Sequence, residues 1–236
     1  MSDTIRFIIF ADARTGGTHV MSKLNSHEDI FAVSEPFPHH NLNTHEEQMA
    51  WMEEYYSNSR KRKFKALGFR TKIEHQANGE AFVDYVNRNN IICFSLQRRN
   101  LVKKAISRIT AVQLYNETQD YNRKSKDFEK RATEIRPNKL LKEIEICEKQ
   151  RRITNEFLQD LLDVTVIYYE QILMDESHFF NRIIDKLGLD RQELVTSVFK
   201  NTSDDLSKSV VNFEEIKTRL SDTQYITDLE EVLIQG

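Results

Sequence analysis

An apolar stretch that runs into two adjacent glycines is the feature that most constrains this chain. Residues 5–11 are almost wholly apolar and predict a buried β-strand. Residues 12–18 form a small loop that contains both glycines, and Val20, Met21 and Leu24 then fall on one face of a helix. A glycine loop at a helix start exposes backbone N–H groups and the positive end of the helix dipole. The stretch therefore predicts an anion-binding site.

Side chains of the loop add to this predicted site. Arg14 brings a fixed positive charge with forked donors that suit phosphate or sulfate oxygens. Thr15 and Thr18 bring hydroxyl groups, and Thr18 is also placed to cap the helix. Gly16 and Gly17 allow the backbone to approach a ligand closely. We predict that these five residues bind an anion, and a plain strand-to-helix turn without a ligand stays open as the alternative.

The loop differs from the phosphate-binding loop of P-loop nucleotide-binding proteins. That motif ends in Gly-Lys-Ser/Thr, whereas Thr18 follows Gly17 here and the next lysine is Lys23. If this chain were a phosphotransferase of the P-loop type, it would therefore lack the lysine of that motif.

Composition narrows the class of protein. The 236 residues, 39% of them hydrophobic, are enough for one α/β domain or two small ones. A net charge of −3 argues against a nucleic-acid partner, and no apolar run reaches the roughly 18 residues that a membrane span needs. Two cysteines, Cys93 and Cys147, are too few for a disulfide framework and show no metal-binding spacing. Since no secretory signal is evident either, we expect a cytoplasmic protein. The absence of a metal-binding spacing leads us to expect no metal site.

A carboxylate follows the second predicted strand. Residues 29–34 form that strand, and Glu35 stands at its end, before Pro36 and Pro38. The two prolines predict that no helix begins there. Ligands of open α/β sheets bind at the carboxyl ends of the strands, so Glu35 is a candidate site residue. The alternative is a glutamate that only shapes the turn.

A second strand-to-helix junction follows later in the chain. Residues 91–96 predict a fully buried strand, and a helix is predicted over residues 101–115. Arg99 lies between them, and Ser107 stands eight residues beyond it. An arginine at the end of a strand and a serine two turns into the next helix can close on one phosphate group. Both residues also suit a solvent-exposed surface.

Alternating strands and helices predict an α/β fold, a three-layer sandwich with a central, mostly parallel sheet. We expect one domain over residues 1–236, with a charged insertion at about residues 121–138. The wider segment 121–152 holds eleven Lys and Arg against six Asp and Glu. Further strands are predicted at 64–69 and 164–169, and further helices at 44–59, 81–86, 138–163 and from 170 to Gly188.

Several of these stretches together resemble the sulfotransferases that use 3′-phosphoadenylyl sulfate (PAPS), in their bacterial, carbohydrate and tyrosyl-protein branches. The loop Pro-Arg-Ser-Gly-Ser/Thr-Thr of that family, which binds the 5′-phosphosulfate, matches residues 13–18. The Arg and Ser that bind the 3′-phosphate match Arg99 and Ser107. Further matches are Glu35-Pro36, Tyr169-Glu170-Gln171-Ile172-Leu173 and Leu187-Gly188-Leu189.

The resemblance implies a P-loop-like phosphosulfate-binding loop and an enzyme. It would move a sulfuryl group from PAPS to an acceptor hydroxyl by in-line displacement, without a metal ion. Arg14, Thr15, Gly16, Gly17, Thr18, Arg99 and Ser107 would bind PAPS. Arg14 would also offset charge on the bridging oxygen, and Glu35 would accept the proton of the acceptor.

The acceptor is left open: a small molecule, a carbohydrate, a lipid or a protein hydroxyl would suit, and the protein can be a monomer or a homodimer. Two departures from the family pattern are visible, because Ala13 replaces a proline and Gly17 replaces a hydroxyl residue. The altered loop keeps open a nucleotide-binding module without catalysis, and a P-loop-like phosphotransferase is the rival among enzymes.

Overall fold

The computed structural model describes residues 4–58, 63–119, 132–198 and 205–231. Its contacts divide the chain into two compact units. The first consists of residues 1–97 and 153–197, and the second of residues 98–152 and 198–236. The single domain over residues 1–236 stays a prediction.

The first unit contains a five-stranded sheet in which every pairing of neighbouring strands is parallel. The strand order is β2-β3-β1-β4-β5, so β1 lies at the centre with β3 and β4 on either side. Long crossovers are needed to join parallel neighbours, and helices fill them here. The strands are β1 (Ile5–Ala11), β2 (Ile30–Ser34), β3 (Ala66–Thr71), β4 (Ile92–Gln97) and β5 (Val164–Tyr168).

Helices cover both faces of this sheet. Side chains of β1 alternate between the faces because successive residues of a strand point in opposite directions. Phe7 and Ile9 enter one core with helices α1, α7 and α8, and Ile8 and Phe10 enter the other with α3 and α4. The predicted three-layer α/β sandwich is confirmed. These helices are α1 (Gly17–Leu24), α3 (His45–Ser57), α4 (Gly79–Arg88), α7 (Tyr169–Met174) and α8 (Glu176–Lys186).

The second unit is helical in its described part. Ile106, Ile144 and Ile216 are fully buried in its core. A parallel bridge joins Thr133 to Val210. Its helices are α5 (Leu101–Thr118), the part of α6 (Pro137–Leu158) up to residue 152, α9 (Phe213–Leu220) and α10 (Ile226–Glu230).

Most of the predicted insertion at 121–138 lies outside the described residues, which resume at residue 132. One residue of the described end of the insertion lies in the core of the second unit. Ile135 is 1% exposed, and its N–H donates to the Asn212 side chain. Glu134 and Arg136 on either side of it are exposed, and the charged insertion stays a prediction.

The expectation that Pro36 and Pro38 prevent a helix is wrong. A short helix, α2 (Pro36–His39), begins directly after Glu35. Pro36 is its first residue and Pro38 lies in its first turn, where backbone N–H groups have no partner within the helix. The missing N–H of proline therefore costs this helix nothing.

Two further segments refine the predictions. The third strand runs two residues further than predicted and includes Arg70 and Thr71. The helix predicted from residue 170 to Gly188 is two helices, because Asp175 leaves helical geometry and caps α8 through His178 N–H. Within the described ranges, no helix is long and apolar enough to cross a membrane.

Candidate active site

The loop between β1 and α1 uses two left-handed backbone conformations. Arg14 has φ of 65° and Gly16 has φ of 88°. Gly16 is the residue before α1, and a Cβ atom there would lie 2.6 Å from Cδ2 of Tyr169. Position 16 thus requires glycine, both because its φ is positive and because Tyr169 leaves no room for a Cβ atom. Because Gly16 has no side chain, it makes no side-chain hydrogen bond to the first N–H groups of α1.

The threonines of the loop differ in their surroundings. Thr15 is buried, and its hydroxyl donates to the backbone oxygen of Asp12 at 2.8 Å, which closes the loop on itself. Thr18 is exposed and lies inside the first turn of α1. The expected cap by Thr18 is therefore wrong, because the helix already begins at Gly17.

Glu35 stands at the carboxyl end of β2 in a constrained conformation. Its φ is 49°, in the left-handed region that is rare for residues with a side chain. Its N–H donates to the backbone oxygen of Arg70 at 2.7 Å. The Oε1 atom of its carboxylate accepts a hydrogen bond of 2.7 Å from Nη2 of Arg70, and the side chain is 31% exposed. The carboxylate is thus held on one side and open to solvent on the other.

Arg70 connects Glu35 to the glycine loop. It lies on β3, where its register partners are Ile9 of β1 and Ser34 of β2. A Cβ atom at Gly17 would lie 2.5 Å from Nη1 of Arg70, so the guanidinium lies directly over Gly17. The structure therefore brings two predicted site elements together, the loop and Glu35, through a side chain that sequence reasoning missed.

Burial of Arg70 has an electrostatic consequence. Its side chain is 14% exposed, and burial lowers the pKa of the guanidinium, while the charge of Glu35 opposes this effect. The Nε atom is buried without a hydrogen-bond partner among the described residues. A buried donor that lacks a partner is costly, and a bound water, ion or ligand is its usual explanation.

More polar groups follow β3 on the same side. Burial lowers the pKa of His75, and the positive charge of Lys72 adds to this effect, whereas Glu35 and Glu74 oppose it. Among the described residues, Nδ1 of His75 and Oε1 of Gln76 are buried without a hydrogen-bond partner. Because the charge of Glu35 acts on His75, the imidazole lies within electrostatic reach of that carboxylate.

The second predicted cluster belongs to the second unit. Arg99 is exposed just before α5, and Ser107 is buried two turns into that helix. Asn100 caps α5, since its Oδ1 accepts from the N–H of Lys103 at 2.7 Å. Lys103 and Lys104 are both 3% exposed, so this helix start is rich in buried positive charge.

Acidic groups from the C-terminal part of the chain contact the same helix start. The Asp228 carboxylate accepts from the N–H of Leu101 at 3.0 Å. The Asn100 amide donates to the backbone oxygen of Asp228 at 2.6 Å and to the Glu231 carboxylate at 2.7 Å. Burial raises the pKa of Asp228, and its hydrogen bond to Leu101 opposes that effect. Negative groups therefore already interact with the N-terminus of α5.

No cluster of three or more His, Cys, Asp or Glu side chains suited to a metal ion occurs in the described ranges. Cys93 lies in the core on β4, and burial raises the pKa of its thiol to about 12. The thiol is thus protonated and unreactive near neutral pH.

Comparison with solved structures finds three sulfotransferases to which this chain is similar. A sulfotransferase from Alicyclobacillus acidocaldarius matches over 98% of this chain and 96% of its own length, with 16% identity and a TM-score of 0.53. The sulfotransferase domain of the curacin biosynthetic pathway matches over 97% and 84%, with 11% identity and a TM-score of 0.47. Mouse sulfotransferase SULT7A1, complexed with PAP, matches over 100% and 77%, with 13% identity and a TM-score of 0.46.

No protein-family model and no curated protein matches the chain. The likeness to the bacterial enzyme is one of fold, and it confirms the fold that the motif resemblance implied. The chain has the sulfotransferase fold.

Proposed function

We propose that this protein is a PAPS-dependent sulfotransferase that transfers a sulfuryl group to an acceptor hydroxyl. The observation that supports it most is the link from the glycine loop through Arg70 to Glu35. An anion-binding loop beside a fixed, partly exposed carboxylate is what transfer of a charged group to a hydroxyl requires. The sulfotransferase fold adds to this support.

The chemistry is an in-line displacement. The acceptor oxygen attacks sulfur, the bond between sulfur and the bridging oxygen breaks, and the electron pair stays on the phosphate of the departing adenosine bisphosphate. Glu35 takes the proton of the acceptor hydroxyl, and its open side gives that hydroxyl access. Arg14 and the N–H groups at the start of α1 offset the charge that builds on the bridging oxygen.

The remaining parts of the proposal follow the motif matches. Arg14, Thr15, Gly16, Gly17 and Thr18 bind the phosphosulfate through backbone and side-chain donors. Arg99 and Ser107 bind the 3′-phosphate from the start of α5, next to the buried Lys103 and Lys104. A cytoplasmic location belongs to the proposal and rests on the low cysteine content. The acceptor is a small molecule, carbohydrate, lipid or protein that bears a hydroxyl group.

Incubation of purified protein with PAPS and an acceptor pool tests this function. We expect formation of the 3′,5′-bisphosphate and an acceptor-dependent increase in its rate. Turnover of ATP instead of PAPS would favour the P-loop-like phosphotransferase. Tight binding of PAPS without turnover, across a broad acceptor panel, would favour the nucleotide-binding module.

A further inference from the structure

Gly17 is constrained by a neighbouring side chain and not by its own backbone. The left-handed conformations of the loop are at Arg14 and Gly16, whereas Gly17 is the first residue of α1. A side chain at position 17 is therefore compatible with the backbone. What excludes it is Arg70, because a Cβ atom would lie 2.5 Å from Nη1 and 2.9 Å from Cδ of that residue.

The guanidinium of Arg70 takes the space that a side chain at position 17 would fill. Nη2 is engaged with Glu35, and Nη1 is the atom that lies over the loop at Gly17. Nε is buried and has no hydrogen-bond partner among the described residues. An arginine has five N–H donors, so the hydrogen bond to Glu35 leaves capacity for an anion in the loop.

Arg70 is also anchored firmly. Its strand pairs with β1 on one side and with β2 on the other, and its backbone oxygen accepts from the N–H of Glu35. Arg70 lies on an inner strand, and its side chain is only 14% exposed. Its guanidinium is therefore pre-organised, which is the condition for strong charge stabilisation.

We propose that Gly17 and Arg70 are a matched pair, in which Arg70 supplies the anion-facing donor that a hydroxyl residue at position 17 would supply and also orients Glu35. This inference rests on the proposed sulfotransferase function and adds a residue to it. It explains how a loop without a hydroxyl at 17 remains fit for turnover. It also predicts that substitutions at positions 17 and 70 are tolerated only when both are made together.

A mutant cycle on PAPS turnover tests the donor role. Arg70→Ala should lower kcat by about 10²–10³, with bisphosphate affinity changed only a few fold. Adding Gly17→Ser to Arg70→Ala should raise kcat at least about tenfold, because a hydroxyl returns to the space that Arg70 leaves. Arg70→Ala with Gly17→Ala is the matched control, and it fills the space without a donor. Equal kcat for the two double variants would overturn the proposal.

The steric part is tested without any ligand. Gly17→Ala alone should lower Tm by about 5 °C, because its methyl group overlaps the guanidinium. The same change in the Arg70→Ala background should cost almost nothing. An equal loss of Tm in both backgrounds would overturn the pairing. If Arg70→Ala fails to fold, Arg70→Val takes its place, since valine suits a strand and has no Cδ atom to clash with a side chain at position 17.

The two tests separate this inference from the function on which it rests. A wild-type protein that neither binds nor turns over PAPS refutes the proposed function and, with it, the donor role. The Tm cycle still reports whether Gly17 and Arg70 are sterically matched. A wild-type enzyme that turns over PAPS, with an Arg70→Ala variant of unchanged kcat, refutes the inference alone.

Discussion

Nη2 of Arg70 donates a hydrogen bond of 2.7 Å to Oε1 of Glu35, and the backbones of the same two residues are joined by a second hydrogen bond of 2.7 Å. The double link fixes both the position and the direction of the carboxylate. The left-handed φ of 49° at Glu35 lies where the chain leaves β2 and enters α2. A carboxylate with one oxygen engaged retains a second oxygen for a proton.

The first prediction concerns this carboxylate. Glu35→Gln keeps the shape of the side chain and removes the base, so kcat should fall by about 10²–10⁴ while bisphosphate affinity and Tm stay close to wild type. Steady-state kinetics and calorimetry measure these quantities. Glu74→Gln is a matched control, because Glu74 is an exposed carboxylate near the same strand end. A Glu35→Gln protein with most of its turnover would contradict the role as base, and loss of folding would indicate a structural role.

Arg14 should matter more for turnover than for product binding. In the proposed mechanism Arg14 faces the group being transferred, so its interaction should strengthen as the bridging oxygen gains charge. Arg14→Ala should lower kcat by about 10²-fold or more, with bisphosphate affinity within a few fold. Arg88→Ala, which removes an exposed arginine of α4, is the control. Normal turnover of Arg14→Ala would make Arg14 a surface residue of the loop.

The central sheet and the first loop were predictable because their signals are local. An apolar strand, two glycines and an apolar helix face lie next to one another in residues 5–24, and each has its own periodicity. Glu35 was predictable for a similar reason, since it follows a strand directly. The parallel pairing then brings the carboxyl ends of β1, β2 and β3 to one edge of the sheet.

Arg70 was missed because its importance is not local. The predicted strand ended at Phe69, one residue before Arg70, whereas the strand continues through Thr71. The available signal was a pair of polar residues, Arg70 and Thr71, at the carboxyl end of an apolar strand. Its contacts with Gly17 and Glu35 join residues far apart in sequence, and no periodicity reveals such contacts. The helix at Pro36 was missed because the rule against proline applies to the interior of a helix, not to its first turn.

A third prediction tests the proposed 3′-phosphate site. Arg99→Ala should weaken binding of PAPS and of the bisphosphate alike, because both keep the 3′-phosphate. A charge-assisted hydrogen bond is worth about 1.5–3 kcal/mol, which corresponds to roughly a ten- to hundredfold loss. Titration calorimetry with the bisphosphate measures it, and Arg88→Ala again serves as the control. Equal affinity of wild type and Arg99→Ala would remove Arg99 from the site.

A fourth prediction is that activity survives removal of divalent metal ions. The charge stabilisation in the proposed mechanism comes from Arg14, Arg70 and the N–H groups of the loop. Turnover of PAPS should therefore stay within about twofold after treatment with EDTA. Complete loss, reversed by Mg²⁺ or Mn²⁺, would favour a phosphotransferase mechanism.

Glu176, the first residue of α8, ties that helix to α1. Its Oε1 lies 2.7 Å from Nε2 of His19, and its Oε2 lies 2.9 Å from Nζ of Lys23. Lys23 also donates to the backbone oxygen of Leu194 at 2.8 Å. Partial burial raises the pKa of Glu176, but the hydrogen bonds from Lys23 and His19 outweigh it, so the pKa is lowered overall. The group thus favours the folded state in its ionised form.

The last prediction follows from the sign of that shift. A carboxyl group with a lowered folded pKa stabilises the fold above its unfolded pKa of about 4.3, and this contribution disappears as pH falls through the folded pKa. Glu176→Gln should therefore lower Tm at pH 7 by only about 2–3 °C, since the carboxylate is 40% exposed and solvent screens the pairs. The difference from wild type should shrink towards zero below pH 4. Thermal melts from pH 3 to 8 measure it, with Glu54→Gln on α3 as the exposed control. A Tm difference that persists unchanged at pH 3 would show that the loss comes from packing and not from the charge of Glu176.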